Sequence, residues 1–140
     1  AAALRGQPGA VVFLEGDLGA GKTTLARGLL QAMGVQGRVR SPTYTLMEPY
    51  QAGGRTILHM DLYRLADPLE LHNLGLADYP PAETLWLVEW PEKGGALLPS
   101  PELRVTLQLQ GGGRRADLHC EDPLRRALAA EFSEFLKVEH

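Results

Sequence analysis

Lys22 and Thr23 end an eight-residue segment whose residue types suit the binding of a triphosphate. Residues 16–23, GDLGAGKT, match the pattern G-x-x-x-x-G-K-[ST] at every fixed position. The glycines let backbone N–H groups turn inward around an anion, and the lysine can reach the β- and γ-phosphates. The threonine hydroxyl is a hard oxygen donor that can bind Mg²⁺. The pattern therefore predicts a nucleoside triphosphate site, and an ordinary glycine turn is the alternative.

The residues on both sides of this segment have the properties needed to hold it. Residues 11–15 are mainly apolar and predict a buried strand. Residues 22–33 are mainly good helix formers, and Gly34 stands where a glycine commonly ends a helix. A strand, a glycine loop and a helix N-terminus in this order bring backbone donors and the helix dipole to one point. The expected nucleotide contacts come from Asp17, Leu18, Gly19, Ala20, Gly21, Lys22, Thr23 and Thr24.

Two acids, Asp61 and Glu89, each end a run of strand-like residues. Ligands of open α/β sheets bind beyond the carboxyl ends of the strands. A carboxylate at that edge can therefore serve Mg²⁺ or an attacking water. Glu89 follows the uninterrupted apolar run 85–88, whereas the run before Asp61 is weaker. Both are candidate site residues, and a solvated carboxylate at a strand end is the alternative for each.

Three further side chains have two interpretations each. Thr43 lies in a Ser-Pro-Thr loop, where it could sense a γ-phosphate as GTPase switch loops do, or belong to an ordinary turn. Trp90 could cover the nucleotide or a partner, or be buried at a strand end. Arg64 could stabilise γ-phosphate charge or meet a partner subunit, or form a structural ion pair with Asp61 or Asp67.

The other predicted elements indicate an α/β fold class. The run 85–88 is apolar throughout, as in a strand covered on both faces. Asp67, Pro68 and Glu70 predict a short helix, as N-cap, first helical residue and reciprocal capping partner. The architecture is a mostly parallel central sheet with added antiparallel hairpin strands and flanking helices. The predicted strands are 11–15, 44–50, 55–61, 85–88, 103–109 and 116–120, and the predicted helices are 22–33, 67–75 and one that begins at Asp122-Pro123.

Length and composition suit a single domain that spans residues 1–140. The net charge is −3, and free-standing nucleic-acid binders are usually basic. We therefore expect any role in RNA metabolism to depend on partner proteins. No apolar run is long enough to span a bilayer, and no secretory leader is recognised. Cys120, the single cysteine, is expected to pack in a strand, and the four histidines lack the spacing of a zinc site. A cytoplasmic location is predicted.

Taken in order, the motifs resemble those of the bacterial TsaE family over residues 11–91. The matching segments are the phosphate loop, residues 41–46 (SPTYTL) for the family's S-P-T-[FY] switch, residues 59–64 (HMDLYR) for H-x-D-x-Y-R, and residues 88–91 (VEWP) for V-E-W. The first motif is generic, whereas the other three in this sequence are specific. The resemblance implies a P-loop NTPase-like fold.

The resemblance also implies the ATPase component of the machinery that makes threonylcarbamoyladenosine on tRNA. Such a component acts with the TsaB and TsaD subunits and contacts tRNA only through their complex. ATP or ADP and Mg²⁺ are the implied ligands, with hydrolysis that is slow without the partners. Carried over by position, Thr23 and Glu89 would handle Mg²⁺, and Asp61 would contact the metal or order the attacking water. Lys22 and Thr43, the switch threonine, complete the implied catalytic set with these two acids.

Two other functions share the same phosphate loop. A small-molecule or nucleoside kinase needs an acceptor pocket and usually an arginine-bearing lid, and no long arginine-rich insertion is present. A nucleotide-dependent binding module with negligible turnover has the same residues as a slow ATPase. A turnover assay with and without partner subunits separates these possibilities.

Overall fold

The computed structural model describes residues 9–17, 21–37, 39, 42, 45–110 and 113–119. Six strands form one sheet in these residues: β1 (Ala10–Gly16), β2 (Met47–Ala52), β3 (Arg55–Asp61), β4 (Thr84–Glu89), β5 (Leu103–Gln110) and β6 (Gly113–His119). Their order across the sheet is β2-β3-β4-β1-β5-β6. The strand that leads into the phosphate loop, β1, is therefore central and is flanked by β4 and β5.

The central pairs of the sheet are parallel and the two outer pairs are antiparallel. Strand β1 runs parallel to β4 and β5, and β3 runs parallel to β4. The outer pairs β2–β3 and β5–β6 are hairpins. This arrangement confirms the predicted α/β class and the predicted mixture of parallel strands with hairpins. Because β1, β3 and β4 run the same way, their carboxyl ends meet at one edge.

A single α-helix, α1 (Lys22–Ala32), is present in the described ranges and packs on one face of the sheet. It ends in a Schellman motif, in which Gly34 N–H donates to the Gln31 carbonyl and Val35 N–H to the Leu30 carbonyl. Gly34 has a φ of 101°, which glycine adopts without strain. The predicted helix and its terminal glycine are confirmed. The core on this face includes Val12, Leu14, Leu29, Leu30, Ile57, Leu85, Leu87, Leu103 and Val105.

The opposite face is covered by short 3₁₀ helices rather than by α-helices. They span Pro68–Asn73, Leu76–Asp78, Pro91–Lys93 and Gly95–Leu97. Asp67 caps the first one, because its carboxylate accepts from Leu69 N–H at 3.0 Å. Glu70 reaches back to Ala66 N–H at 3.4 Å, one residue before the predicted partner. The core on this face includes Val11, Phe13, Leu58, Met60, Leu62, Leu71, Trp86 and Val88.

Several sequence predictions differ from the structure at their boundaries. Strand β2 begins and ends later than the predicted range 44–50, and β6 begins at Gly113, three residues before the predicted range 116–120. Cys120 and the predicted C-terminal helix lie outside the described residues. No helix in the described part of the chain is both long and apolar enough to cross a bilayer.

Candidate functional site

The phosphate loop and both predicted acids meet at the carboxyl edge of the sheet. Asp61 and Glu89 are the last residues of β3 and β4, and they lie opposite each other in the parallel register. Leu14 of β1 is the other register partner of Glu89. Because β1 continues into the loop and α1 starts at Lys22, the helix N-terminus is brought to the same edge. The predicted convergence on this edge is therefore present.

Gly16 allows the loop to leave the sheet at this point. Its φ is 138°, and a Cβ at this position would lie 2.2 Å from the carbonyl oxygen of Leu107 on β5. Any other residue would therefore push the two strands apart as well as strain its own backbone. The first glycine of the motif is required by the neighbouring strand, and not only by a phosphate.

Glu89 is the centre of a buried hydrogen-bond chain. The Thr23 hydroxyl donates to Glu89 Oε1 at 2.7 Å, and His59 Nε2 lies 2.6 Å from Glu89 Oε2. Both His59 and Glu89 are only 1% exposed. Each carboxylate oxygen thus has one donor, which fixes the rotamer of the side chain. The Thr23 oxygen keeps lone pairs that could bind a cation while its proton is directed to Glu89.

Asp61 lies beside this series of hydrogen bonds and is 8% exposed. Its Oδ1 accepts from the N–H of Tyr63 at 3.1 Å, and its own N–H donates to the carbonyl of Leu46 at 3.0 Å. Burial raises the pKa of Asp61 above the ordinary carboxyl value, and the charge of Glu89 adds to the rise. The Tyr63 hydrogen bond is the largest of the effects that oppose it. A bound cation would relieve the cost of keeping this acid ionised.

Lys22 is folded back onto its own loop. Its ammonium donates to the carbonyl oxygens of Gly16 and, at 2.9 Å, Asp17. The Nζ atom also lies 3.9 Å from the ring centroid of Trp90, which is cation–π distance. Burial lowers the pKa of Lys22, and nearby carboxylates, Glu89 first, oppose the change. Two of the three N–H donors of Lys22 are thus taken by carbonyls of the loop.

Trp90 is held in an uncommon backbone conformation. Its φ and ψ are 56° and 51°, in the left-handed region that a residue with a side chain rarely occupies. The ring is half-buried against the core on the face of the sheet opposite α1. Its centroid lies 5.0 Å from that of the Tyr63 ring, and the two planes are tilted by 49°. The ring is partly buried and covers the phosphate-loop lysine, and a contact with nucleotide or a partner stays a prediction.

The structure brings together most of the predicted site residues that it describes. Lys22, Thr23, Glu89 and Asp61 lie at one edge, and Asp17 contributes its carbonyl oxygen to Lys22. Gly21 precedes the helix, and Thr24 in the first turn of α1 is exposed. Leu18, Gly19, Ala20 and Thr43 lie outside the described residues.

Sequence reasoning assigned no site role to His59. The signal was present, because His59 and Asp61 are two residues apart on a strand and therefore point to the same face. That face carries α1 and the threonine of the phosphate loop. His59 is also the first residue of the segment 59–64 that resembles H-x-D-x-Y-R, but neither this segment nor zinc spacing indicates that the histidine binds Glu89.

The donors at this edge suit Mg²⁺. Thr23, Glu89 and Asp61 offer hydroxyl and carboxylate oxygens, which are the ligands that hard divalent cations prefer. Within the described ranges no three His, Cys, Asp or Glu side chains are grouped so as to hold a metal by themselves. Mg²⁺ is usually bound by one or two protein groups together with substrate phosphates and water, so a hydroxyl and two carboxylates are donors enough for it.

Comparisons with known proteins agree on one family. The sequence model of the TsaE family, described as threonylcarbamoyl adenosine biosynthesis protein TsaE, matches residues 1–116. The tRNA threonylcarbamoyladenosine biosynthesis protein TsaE of Haemophilus influenzae is 47% identical over 123 residues, which cover 88% of this chain and 78% of that protein. The protein of the same name from Bacillus subtilis is 36% identical over 83% of this chain and 78% of its own.

A solved structure shows the same fold. The crystal structure of Bacillus subtilis YdiB superimposes with a TM-score of 0.73 at 32% sequence identity. The match covers 94% of this chain and 82% of that one. Together with the sheet order and the loop between β1 and α1, this similarity confirms the P-loop NTPase-like fold.

Proposed function

We propose, from the premise that this chain belongs to the TsaE family of threonylcarbamoyl adenosine biosynthesis proteins, that it binds ATP with Mg²⁺ and hydrolyses it to support threonylcarbamoyladenosine modification of tRNA. The observation that carries the hydrolytic part is the 2.7 Å hydrogen bond from Thr23 to Glu89. It joins the hydroxyl of the phosphate loop to a buried carboxylate 66 residues away in the sequence. This pair has the composition of a P-loop magnesium site.

The roles of the residues follow from their positions. Lys22 would leave the carbonyls of Gly16 and Asp17 and donate to the β- and γ-phosphates. Thr23 and Glu89 would hold Mg²⁺, which when bound neutralises charge on the phosphate oxygens. Asp61 would contact the metal or accept a hydrogen bond from the attacking water and so orient it toward the γ-phosphorus.

The partners in this proposal are the TsaB and TsaD subunits, and this chain would contact tRNA only through their complex. The net charge of −3 supports an indirect contact, because direct binding to a polyanion requires a basic surface. Thr43 is the proposed switch residue, whose contact with the γ-phosphate would make partner binding depend on ATP rather than ADP. The proposed location is the cytoplasm, where tRNA modification takes place.

The position of Lys22 also favours a second candidate, a nucleotide-dependent binding module with negligible turnover. Its ammonium is occupied by two loop carbonyls and the face of Trp90. An isolated chain with its lysine held in this way would hydrolyse slowly. Partner subunits could then act by stabilising the arrangement in which the lysine binds phosphate.

One experiment tests the proposal and separates the two candidates. The full chain is mixed with TsaB and TsaD in ATP, in ADP and without nucleotide, the complexes are isolated by size exclusion, and phosphate release is measured on each. We expect co-elution that depends on nucleotide, and phosphate release that rises several-fold over the isolated chain. Nucleotide-dependent co-elution without phosphate release favours the binding module. If there is neither nucleotide-dependent co-elution nor phosphate release, the ATPase and the binding module are both contradicted. Transfer of phosphate to an added nucleoside instead of water indicates a kinase.

A further inference from the structure

His59 is a buried polar side chain to which the proposed function has given no role. It lies in β3 and is 1% exposed. Two of its neighbours on the same face of the sheet are aliphatic: Ile57 lies two residues earlier on β3, and Leu87 is its register partner on β4. An imidazole among these side chains is costly unless its nitrogens have partners, because burial removes their hydrogen bonds to water.

Only one of the two ring nitrogens has a partner. Nε2 lies 2.6 Å from Glu89 Oε2, whereas Nδ1 is buried and has no hydrogen-bond partner among the described residues. A carboxylate oxygen accepts, so the hydrogen lies on Nε2. Nδ1 then carries no hydrogen and is an acceptor without a donor. Burying it costs less free energy than burying a second N–H that has no acceptor. With Glu89 ionised, His59 is thus a donor through Nε2, and Glu89 is its one acceptor among the described residues.

That hydrogen bond determines where the other oxygen of Glu89 lies. A glutamate side chain has three rotatable bonds, so a strand-end carboxylate can adopt many rotamers. Here Oε2 is held from within the sheet by His59, and Oε1 is thereby directed to the hydroxyl of Thr23. Since β3 and β4 are paired along their length, the donor and the acceptor are fixed to the same rigid frame.

We propose that His59 is a positioning residue that holds the Glu89 carboxylate in the orientation required at the Thr23 side of the site. This inference rests on the proposed function for the identity of the cation, and it concerns a residue to which that function assigns nothing. Groups that bind and orient a metal ligand typically change metal affinity or activity by about 10- to 100-fold when they are removed. His59 contacts neither nucleotide nor metal, and its effect passes through Glu89.

Three substitutions in the full chain test the role. His59→Gln places an amide N–H near the position of Nε2 and keeps the donor, whereas His59→Met fills a similar volume without one. His59→Asn is polar but too short to reach Glu89, which separates polarity from reach. Thr84→Val is the matched control, because Thr84 is a buried polar residue at the opposite end of β4.

The measurements are phosphate release and the binding of Mn²⁺ to the protein–ADP complex, followed by electron paramagnetic resonance as a probe for the Mg²⁺ site. We expect His59→Met and His59→Asn to weaken Mn²⁺ binding by about tenfold or more and to lower kcat similarly. ADP affinity in the presence of a chelator should be unchanged. His59→Gln should stay within about threefold of the wild type in both measurements, and Thr84→Val should leave both unchanged.

Two results overturn the proposal. One is a His59→Gln protein that loses as much Mn²⁺ affinity as His59→Met, because the role would then belong to the shape of the ring. The other is a His59→Met or His59→Asn protein with wild-type Mn²⁺ affinity. Failure of the proposed function gives a different pattern, in which wild-type protein releases no phosphate with or without partners while the order of Mn²⁺ affinities is kept.

A measurement on the wild-type protein keeps the proposal testable if a variant does not fold. Nitrogen-15 NMR of the imidazole distinguishes a ring that carries its hydrogen on Nε2 from one that carries it on Nδ1. We expect the His59 signal to show a hydrogen-bonded Nε2–H in the nucleotide-free protein and to lose this signature in Glu89→Ala. A hydrogen on Nδ1 alone would contradict the assignment.

Discussion

The site has a carboxylate side and a lysine side whose charged groups have different partners. On the carboxylate side, the Thr23 hydroxyl and His59 Nε2 lie 2.7 and 2.6 Å from the two oxygens of Glu89, and His59 and Glu89 are each 1% exposed. On the lysine side, Lys22 is held by loop carbonyls and by the face of Trp90. Both sides therefore use charge-assisted hydrogen bonds, and the lysine side adds a cation–π contact.

The two halves differ in which groups occupy their polar atoms. On the carboxylate side both oxygens of Glu89 are directed by donors, one on α1 and one on the neighbouring strand β3. On the lysine side two of the three N–H donors of Lys22 are taken by its own loop. Trp90 rests in turn on Tyr63, which is 41% exposed, so this half borders the surface.

Glu89→Gln gives the largest expected effect and tests the carboxylate side. The amide keeps the size of the side chain but loses the negative charge that a metal requires. We expect kcat for ATP hydrolysis to fall by about 100-fold or more, since metal stabilisation of the transition state is worth several kcal/mol. ADP affinity measured by calorimetry should change little. Glu83→Gln, at an exposed position just before the same strand, is the control; equal losses of turnover and ADP affinity would contradict the role.

Lys22→Ala tests the lysine side. Charge-assisted hydrogen bonds contribute about 1.5–3 kcal/mol, so ATP affinity should fall by about 10- to 150-fold. If Lys22 must first break its hydrogen bonds to Gly16 and Asp17, the net gain from its contact with phosphate is smaller, and so is the loss of ATP affinity in the alanine variant. Isothermal titration with ATP measures it, and Lys93→Ala at an exposed position should bind as the wild type does. Unchanged affinity in Lys22→Ala would exclude the phosphate role.

Trp90→Ala sharpens the comparison, because it removes the ring that covers the lysine. The cation–π contact is worth about 0.5–2 kcal/mol between exposed and buried sites, so its removal should strengthen ATP binding by about two- to thirtyfold. Trp90→Phe retains a ring and should lie between the alanine variant and the wild type. The same titrations measure both proteins. Weaker binding in Trp90→Ala would show instead that the ring contacts the nucleotide.

Asp61→Asn has the smallest expected effect and acts on stability. Because the folded-state pKa of Asp61 is raised, the stability contributed by its carboxyl is present at low pH and is lost as the pH rises through that pKa. The amide avoids this loss and can still accept from Tyr63. We expect Tm of the nucleotide-free protein at pH 7 to rise by about 2 °C or more. The gain should shrink toward acidic pH; Asp78→Asn, at an exposed carboxylate, should show neither change.

Local sequence determined the elements that carry the site. The glycine spacing and the Lys-Thr pair at 22 and 23 predicted the loop, because a phosphate-binding turn requires specific backbone angles at fixed positions. The apolar run before Glu89 predicted β4, since a strand covered on both faces has no polar positions. Gly34 predicted the end of α1 for a similarly local reason.

Only the tertiary structure decided how far each acid lies from the loop. Asp61 and Glu89 both end strands, although the apolar run before Glu89 is the stronger one and the resemblance implied that Glu89 shares Mg²⁺ with Thr23. In the sheet β4 lies next to β1 and β3 lies one strand farther away, so Glu89 reaches Thr23 while Asp61 lies beside it. Strand order depends on contacts between residues far apart in the chain, which spacing does not record. The hydrogen bond between His59 and Glu89 also depends on tertiary structure, because the parallel register of β3 and β4 brings the two side chains together.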